Sequence, residues 1–560
     1  MVLKLSKYFS RRKTPQSEPA SPKQARNHAG GYSFTLNDRD RLERFLILGS
    51  EGGTYYVGER ALSLANAECL VRCLDADGPG TVEAIASLSE AGRAPKNDVA
   101  IFALAVASGH ADEATRAAAL EALPRVCRTG SHLFTFVDNV QHFRGWGRGL
   151  RRAVARWYVE RDAEALAYQV AKYRQRNGWS HRDVLRKAGG AIGPHAVEHE
   201  VVLRWAVDGV EGFDKSRSVR RGGKHGEAKA VNYGRLSREQ LPRILAGVEA
   251  LKACAALTGA KRGREAAKVI ADYRLTHEMV PSELKASPLV WEALLPGMPV
   301  GALVRSLGKL TQVGVLAPHS EASGLVRARL GDAERLRKAR LHPLAVLTAL
   351  RVYARGKGVR GSLSWKPVSA VVDSLDAAFY TCFDNVRPAS KRVLIALDVS
   401  GSMGWGEIAG LPGITPAVGS AAMAMVALRT EPEVELTAFS TALQRVSIGK
   451  RSSLEDVVNK LARIPMGGTD CAAPMVWATK ERVPVDAFYV YTDNETWHGQ
   501  VHPHQALRTY RERTGIPAKL IVVGMTATKF TIADPDDAGM LDVVGFDSAA
   551  PAIMADFTRS

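Results

Sequence analysis

From residue 37 to about residue 380, apolar positions recur at the three-and-four spacing of amphipathic helices. Pro, Gly and polar clusters cut the pattern into pieces of ordinary helix length, as at 81–91, 96–108, 113–123, 163–174 and 238–254. After Pro388 the pattern changes. Short continuous apolar runs at 393–397, 434–439, 487–491 and 519–523, which read as buried parallel strands, alternate with helical stretches at 416–429 and 502–513. The expected fold is multidomain: an α-helical solenoid of paired helices, each pair burying its face against the next, followed by an α/β domain with a doubly wound parallel sheet. Residues 1–30 are polar, with Pro, Ser and Gln, and are expected to form an extended amino-terminal arm. The helical part then spans 31–385 and the α/β part 386–560.

A chain of 560 residues, 46% hydrophobic, has ample length for two or more real cores. No stretch approaches the roughly 20 apolar residues of a membrane span. Residues 1–13 carry charges but no apolar core for a signal peptide, so a cytoplasmic protein is expected. Six cysteines (Cys69, Cys73, Cys127, Cys254, Cys382 and Cys471) lack Cys-x-x-Cys spacing and indicate neither a disulfide framework nor a zinc ribbon. The formal charge of +18 is unevenly spread. Residues 386–560 hold 17 Lys and Arg against 19 Asp and Glu, a net of −2, which leaves +20 on residues 1–385. A basic excess confined to one part favours a polyanion partner, of which nucleic acid is the commonest.

Three segments of the α/β part carry candidate chemistry: Asp398-Val399-Ser400-Gly401-Ser402, Gly467-Gly468-Thr469-Asp470 and Thr492-Asp493. Asp398 and Asp493 each follow an apolar run, at the carboxyl end of a strand, where open α/β sheets place their ligands. Thr469 follows a glycine pair, so a loop can present its hydroxyl beside both aspartates. Carboxylates and hydroxyls with open positions suit a hard divalent cation, and Mg²⁺ prefers few protein ligands and several waters. Any one segment alone would more usually cap the helix that follows it; three in order, each with its own Asp, Ser or Thr, reverse that balance.

In the helical part the most basic stretch runs from Lys172 to Lys187. The pattern predicts a helix carrying Lys172 and Arg176 one turn apart and ending near Gly178, then Ser180 capping a second helix that carries Arg182 and Arg186 one turn apart. Two cationic pairs at one corner can clamp successive phosphates, and Trp179, Tyr173 or His181 could stack on an unpaired base. The same residues would also serve as a solvated face with Trp179 in the core. A second basic segment, 214–229, reads as a glycine-containing loop.

The three loops of the α/β part resemble the metal-ion-dependent adhesion site of the von Willebrand factor A domain, found also in integrins. That resemblance implies Asp398, Ser400, Ser402, Thr469 and Asp493 as ligands of a divalent cation, Mg²⁺ above all, some through water. The whole chain resembles the Ro autoantigen family, the TROVE-module ribonucleoproteins. The residues that carry this are Gly30-Gly31-Tyr32, Leu42-Glu43-Arg44-Phe45-Leu46-Ile47-Leu48-Gly49 with Gly53-Thr54-Tyr55, Cys127-Arg128 with His132-Leu133-Phe134-Thr135-Phe136, and Val290-Trp291-Glu292-Ala293-Leu294-Leu295. His342-Pro343, Leu350-Arg351-Val352-Tyr353 and Gly356-Lys357-Gly358 fit as well.

The resemblance implies a ring of HEAT-like repeats closed by the metal-bearing domain. It implies small structured Y RNA bound on the outer basic surface, single-stranded 3′ ends of misfolded noncoding RNAs passing through the central hole, and association with a 3′ exoribonuclease in RNA decay. Lys172 and Arg176 fall on family positions that contact Y RNA, and His181, Arg182 and Arg186 are added as neighbours by charge. The chain departs from the family at Gly189, in the run Arg186-Lys187-Ala188-Gly189, where members often carry a histidine. That leaves one RNA contact absent or replaced.

Two further patterns are weaker. His195-Ala196-Val197-Glu198-His199 matches an inverted zinc-protease spelling without an evident third ligand. Residues 301–310 come near a phosphate-binding loop, but their glycines are too far apart and Leu310 stands where Ser or Thr should hold Mg²⁺. The expectation is a non-enzymatic RNA-binding scaffold. Its rivals are a metal-dependent protein-adhesion module without an RNA role, and a metal-dependent nuclease or phosphatase using Asp398 and Asp493, a chemistry that usually wants a denser carboxylate cluster.

Overall fold

Helices succeed one another through the first two thirds of the chain, and each packs on those one to three places along. The computed structural model describes residues 13–49, 68–220, 230–339, 341–359, 361–382, 387–408, 413–450 and 452–560. Gly53-Thr54-Tyr55, residues 221–229 of the second basic segment and the expected domain boundary at 385/386 lie outside the described residues. The helices start where side chains can accept the first free amides: Asn37, Asp77, Asp112, Thr129, Asp162 and Ser180 are N-caps.

Proline moves several boundaries from their expected places. The stretch 113–123 is two helices, Glu113–Glu121 and Leu123–Val126, with Pro124 opening the second. The stretch 238–254 becomes a turn of 3₁₀ helix, Arg238–Gln240, followed after Pro242 by Arg243–Ala255. Residues 301–310 are the interior of the helix Val300–Gln312. There Gly308 lets the Trp365 ring approach, since a Cβ would stand 2.6 Å from that ring. No helix among the described residues is long and apolar enough to cross a membrane.

Two short strands, β1 (Gln24–Arg26) and β2 (Tyr32–Thr35), lie in the segment expected as an extended arm and just beyond it. Within the helical part there are two hairpins, β3 (Gln175–Arg176) with β4 (Trp179–Ser180), and β5 (Arg217–Arg220) with β6 (Ala230–Tyr233). The α/β domain contributes β7 (Arg392–Asp398), β8 (Glu433–Phe439), β9 (Leu443–Arg445), β10 (Ala487–Thr492), β11 (Lys519–Gly524), β12 (Phe530–Thr531) and β13 (Met540–Val544). Its main sheet has the order β13-β11-β10-β7-β8-β9. All pairs are parallel except β8 with β9. The sheet is therefore mixed rather than wholly parallel, because the three residues between β8 and β9 are too few for a crossover. Its central strands β7, β10 and β11 are buried on both faces, as their unbroken apolar runs require.

The α/β domain bridges both ends of the helical array. At the amino-terminal end β2 pairs antiparallel with β12, Phe34 opposite Thr531. The Arg44 guanidinium, 1% exposed, pairs with Asp542 at 2.5 Å and donates to the carbonyls of Thr528 and Phe530. At the far end Arg351 pairs with Glu455 at 2.6 Å. Arg93 joins all three regions: its guanidinium meets Glu43 and Asp547, and its carbonyl lies 3.1 Å from His342 Nε2. The array is thus closed on itself through the α/β domain.

Candidate functional site

Asp398 is the last residue of β7, and β10 beside it ends at Thr492, so Asp493 emerges from the adjacent parallel strand at the same sheet edge. The neighbouring strand β8 ends at Phe439. The Ser440 carbonyl accepts from the Asp470 amide at 3.0 Å, which brings the Gly467-Gly468-Thr469-Asp470 loop to that edge too. Thr469 and Trp497 are tied directly, through the Trp497 N–H and the Thr469 carbonyl at 3.1 Å. Gly468 permits this approach, since a Cβ there would stand 2.7 Å from the Trp497 ring. The fold therefore assembles all three loops expected from the sequence.

All five expected ligands are at most 5% exposed. One Asp398 oxygen accepts from the Ser400 N–H at 2.9 Å and the other from the Thr492 hydroxyl at 2.8 Å, while the Ser400 and Ser402 hydroxyls are 3.1 Å apart. Asp493 Oδ1 accepts from the Glu495 N–H at 3.0 Å; its Oδ2 is buried with no hydrogen-bond partner. Both carboxyls are held above the ordinary carboxylate range, by burial first and, for Asp493, next by the Asp398 charge. Two buried acids of this kind favour a proton or a cation between them. Two carboxylates, one of them with an unpartnered buried oxygen, and three hydroxyls fit a hard divalent ion that keeps part of its water. Among the described residues no group of three or more His, Cys, Asp or Glu is placed to hold a metal, so the denser cluster usual for phosphoryl chemistry is not found there.

Sequence reasoning missed a layer behind these loops. Gln16, fully buried, donates from Nε2 to Asp470 Oδ1 at 2.7 Å and to the Val501 carbonyl at 2.9 Å, and its Oε1 accepts from the Thr496 hydroxyl. Glu495, also fully buried, accepts from the His28 amide at 2.9 Å and lies 2.8 Å from His28 Nδ1. The Asn27 side chain donates to the Thr496 carbonyl at 2.6 Å. At Gly31 a Cβ would stand 2.1 Å from that same carbonyl, so only glycine fits. No local periodicity signals these partners, which come together from opposite ends of the chain. The one hint is the Gly30-Gly31 pair.

The basic corner differs from its expected form. Lys172 and Arg176 are not one turn apart on a helix: the helix Ala163–Lys172 ends at Lys172, and Arg176 lies in the β3–β4 hairpin. The turn is Asn177-Gly178, both at positive φ (52° and 78°), the dipeptide that most strongly favours a tight hairpin. The Lys172 side chain is 10% exposed, 3.0 Å from the Tyr168 hydroxyl and 3.8 Å from Glu278. His181, expected at the RNA surface, is a core residue. Its ring stacks on Trp157 and packs edge-on to Phe134, its Nδ1 is 2.8 Å from the Tyr158 hydroxyl, and burial depresses its pKa to about 3. Trp179 is half-buried against Trp146. Arg176, Arg182 and Arg186 are exposed. Arg182 and Arg186 lie one turn apart on the helix His181–Ala188, which opens with a Ser180–Asp183 capping box.

The His195 and His199 side chains do not converge. His195 Nε2 faces Glu200 at 3.0 Å, while His199 Nε2 faces the Arg161 carbonyl at 2.6 Å, so the protease spelling is structural. Glu200 also binds Arg204 at 2.8 Å and Arg217 at 3.3 Å. These contacts anchor the basic strand β5, whose first residue is Arg217.

Comparison with known proteins places both halves. A model of the TROVE domain matches residues 25–352, and one of the Ro60 vWA domain matches residues 392–558. The chain is 42% identical over 547 residues to the RNA-binding protein RO60 of Deinococcus radiodurans, covering 97% of both proteins. It is 36% identical over 593 residues to the RNA-binding protein RO60 of Caenorhabditis elegans, covering 97% of this chain and 91% of the relative. The crystal structure of the Deinococcus radiodurans RO (RSR) protein superposes with a TM-score of 0.68 at 41% identity, covering 93% of this chain and 99% of that one.

Proposed function

The chain belongs to the Ro60 family of TROVE-domain proteins, and from that premise we propose that it binds RNA as a non-catalytic scaffold. In this reading it holds a Y-like small noncoding RNA on its outer basic surface and receives single-stranded 3′ ends of misfolded noncoding RNAs, delivering them to a 3′ exoribonuclease in quality control. The observation that carries the reading is the exposed arginine corner: Arg182 and Arg186 one turn apart, beside Arg176 on the hairpin, in the part of the chain that holds the +20 excess. Guanidinium groups set at this spacing can hold phosphates. A salt titration of RNA affinity tests it: the log–log slope should be about −0.7 per phosphate neutralised on a single strand, and a slope near zero would sink it.

Asp398, Ser400, Ser402, Thr469 and Asp493 would hold Mg²⁺, directly or through water. When bound, the ion would offer an open position to a carboxylate oxygen of a partner protein. The near-neutral charge of the α/β domain supports a protein ligand there rather than RNA.

A further inference from the structure

Beside the exposed arginine corner, a cavity of about 370 Å³ opens between the helices His181–Ala188 and Val197–Asp208 and the start of β5. Its inner wall is mostly apolar: Leu185, Ile192 and Leu203 are buried and Val207 is half-buried, with the buried Arg204 among them. Its mouth is cationic. Arg186, Lys215 and Arg217 border it and are exposed, with Gly189 beside them and a single acidic residue, Asp208. The walls are fixed. Arg217 is tethered to the buried Glu200 at 3.3 Å, and Arg204 donates to Glu200, to the Lys215 carbonyl and to the Gly234 carbonyl.

We infer that this cavity receives one nucleotide of the bound RNA, its base against the apolar wall and its flanking phosphates on Arg186, Lys215 and Arg217; the inference rests on the RNA reading above. The combination is selective for chemistry. A bare phosphate has no use for the apolar wall, and an apolar ligand has none for three cations at the mouth. A nucleotide answers both, and the volume lies in the range of small-molecule sites. Arg186 belongs to the exposed corner and to the cavity mouth at once, so a strand held by Arg182 and Arg186 can turn one base inward without leaving its phosphate contacts. Asp208 can accept from an exocyclic amine, which gives the site a means of preferring amino-bearing bases. Stacking and apolar contact of a base are sequence-tolerant otherwise.

Saturation-transfer NMR on the full chain with adenosine 5′-monophosphate, adenosine and ribose 5-phosphate separates the contributions of wall and mouth. The nucleotide should show saturation at its base protons and bind roughly tenfold more tightly than ribose 5-phosphate, and a single-stranded oligoadenylate should displace it. Val207→Trp, which fills the cavity from its wall, should abolish the base signal in protein whose thermal melt is unchanged. If that variant does not fold, Lys215→Gln with Arg217→Gln should reduce the nucleotide's affinity to that of adenosine. Equal binding of ribose 5-phosphate and the nucleotide, or base signals that survive Val207→Trp, would overturn the pocket. If the oligoadenylate binds while the nucleotide does not, the pocket falls and the RNA reading stands. If the nucleotide binds while no RNA does, the RNA reading falls and takes this assignment with it.

Discussion

The side-chain amide of Gln16 donates to Asp470 Oδ1 at 2.7 Å, joining the amino-terminal segment to the loop that carries Thr469. Its carbonyl oxygen accepts from Thr496, three residues past Asp493, so one buried amide spans two of the three candidate metal loops. Supporting contacts of this kind commonly hold metal ligands in register. Gln16→Ala should therefore weaken Mn²⁺ binding roughly tenfold or more, read by isothermal titration. Unchanged affinity, in a protein that loses all Mn²⁺ binding on Asp398→Ala, would show that the loops hold their geometry alone.

Asp398→Ala is expected to remove divalent-metal binding while leaving RNA affinity close to that of the unaltered chain. The metal loops sit at the edge of a domain with a net charge of −2, and the exposed arginines lie in the helical part. Comparing RNA affinity with and without chelator is decisive. A large loss on chelation, in protein still folded by circular dichroism, would assign the metal to RNA directly.

Arg182→Glu with Arg186→Glu should weaken binding of a structured RNA and flatten its salt dependence at unchanged stability, since both residues are exposed on one helix. Lys172→Ala should behave otherwise. Its ammonium lies over the Tyr168 and Tyr173 rings at 5.2 and 5.3 Å and is mostly covered, so its loss should lower stability by about 1 kcal/mol. Equal RNA effects from the two variants in a filter-binding assay would contradict this division.

How far the sequence could be read follows from the range of the interactions involved. Two of the three candidate loops were legible because each is set by its own strand end: the apolar runs 393–397 and 487–491 put Asp398 and Asp493 at one sheet edge, whereas the loop of Thr469 follows the helix Leu454–Leu461 and reaches that edge through the Ser440–Asp470 backbone bond. The hairpin at Asn177-Gly178 was also legible in principle, and the helical reading failed because cations at i and i+4 suggest a helix face as readily as two hairpin strands do. His181 misled for a different reason. It is the first residue of a helix whose next residue is exposed, and which way a terminal side chain turns depends on Trp157, Tyr158 and Phe134 from other helices. The strap from Gln16 to Thr35 was the least legible. Its partners lie more than 450 residues away, and apart from the Gly30-Gly31 pair nothing in a polar, Pro-containing segment reports a distant sheet edge.

The buried pair of Arg44 and Asp542 is expected to hold the amino-terminal helix Asp38–Leu48 to the α/β domain. Asp542→Ala would leave a guanidinium buried with only the carbonyls of Thr528 and Phe530 to satisfy it. Removing one partner of such a pair costs about 3–5 kcal/mol. Urea denaturation should show a loss of that size, and Arg44→Met combined with Asp542→Leu should recover much of it. A loss under about 1 kcal/mol, the range of surface pairs, would mean that the strand pairing of β2 with β12 holds the junction alone.

Acid sensitivity should come from histidines buried in neutral form. Burial lowers the pKa of His132 and His342 to about 4, and that of His181 and His504 to about 3, against an ordinary value of 6.5. Above pH 6.5 neither the folded nor the unfolded chain protonates these rings, and their stability contribution is fully present. As pH falls below 6.5 the unfolded chain takes up protons that the folded chain refuses, so stability drops until the folded values near 4 and 3 are reached. Each such ring can cost up to about 1.4 kcal/mol per pH unit in that window. The thermal midpoint should therefore fall steeply between pH 6.5 and 4, against the opposite trend of any group whose folded pKa is raised. His181→Phe keeps an aromatic ring against Trp157 and Phe134 and removes one titrating group, at the expense of the Tyr158 hydroxyl contact. Its melting temperature at pH 7 should be lower than that of the unaltered chain, and its decline between pH 6.5 and 4 shallower. Parallel curves for the two proteins across that range would show that His181 does not contribute to the acid transition.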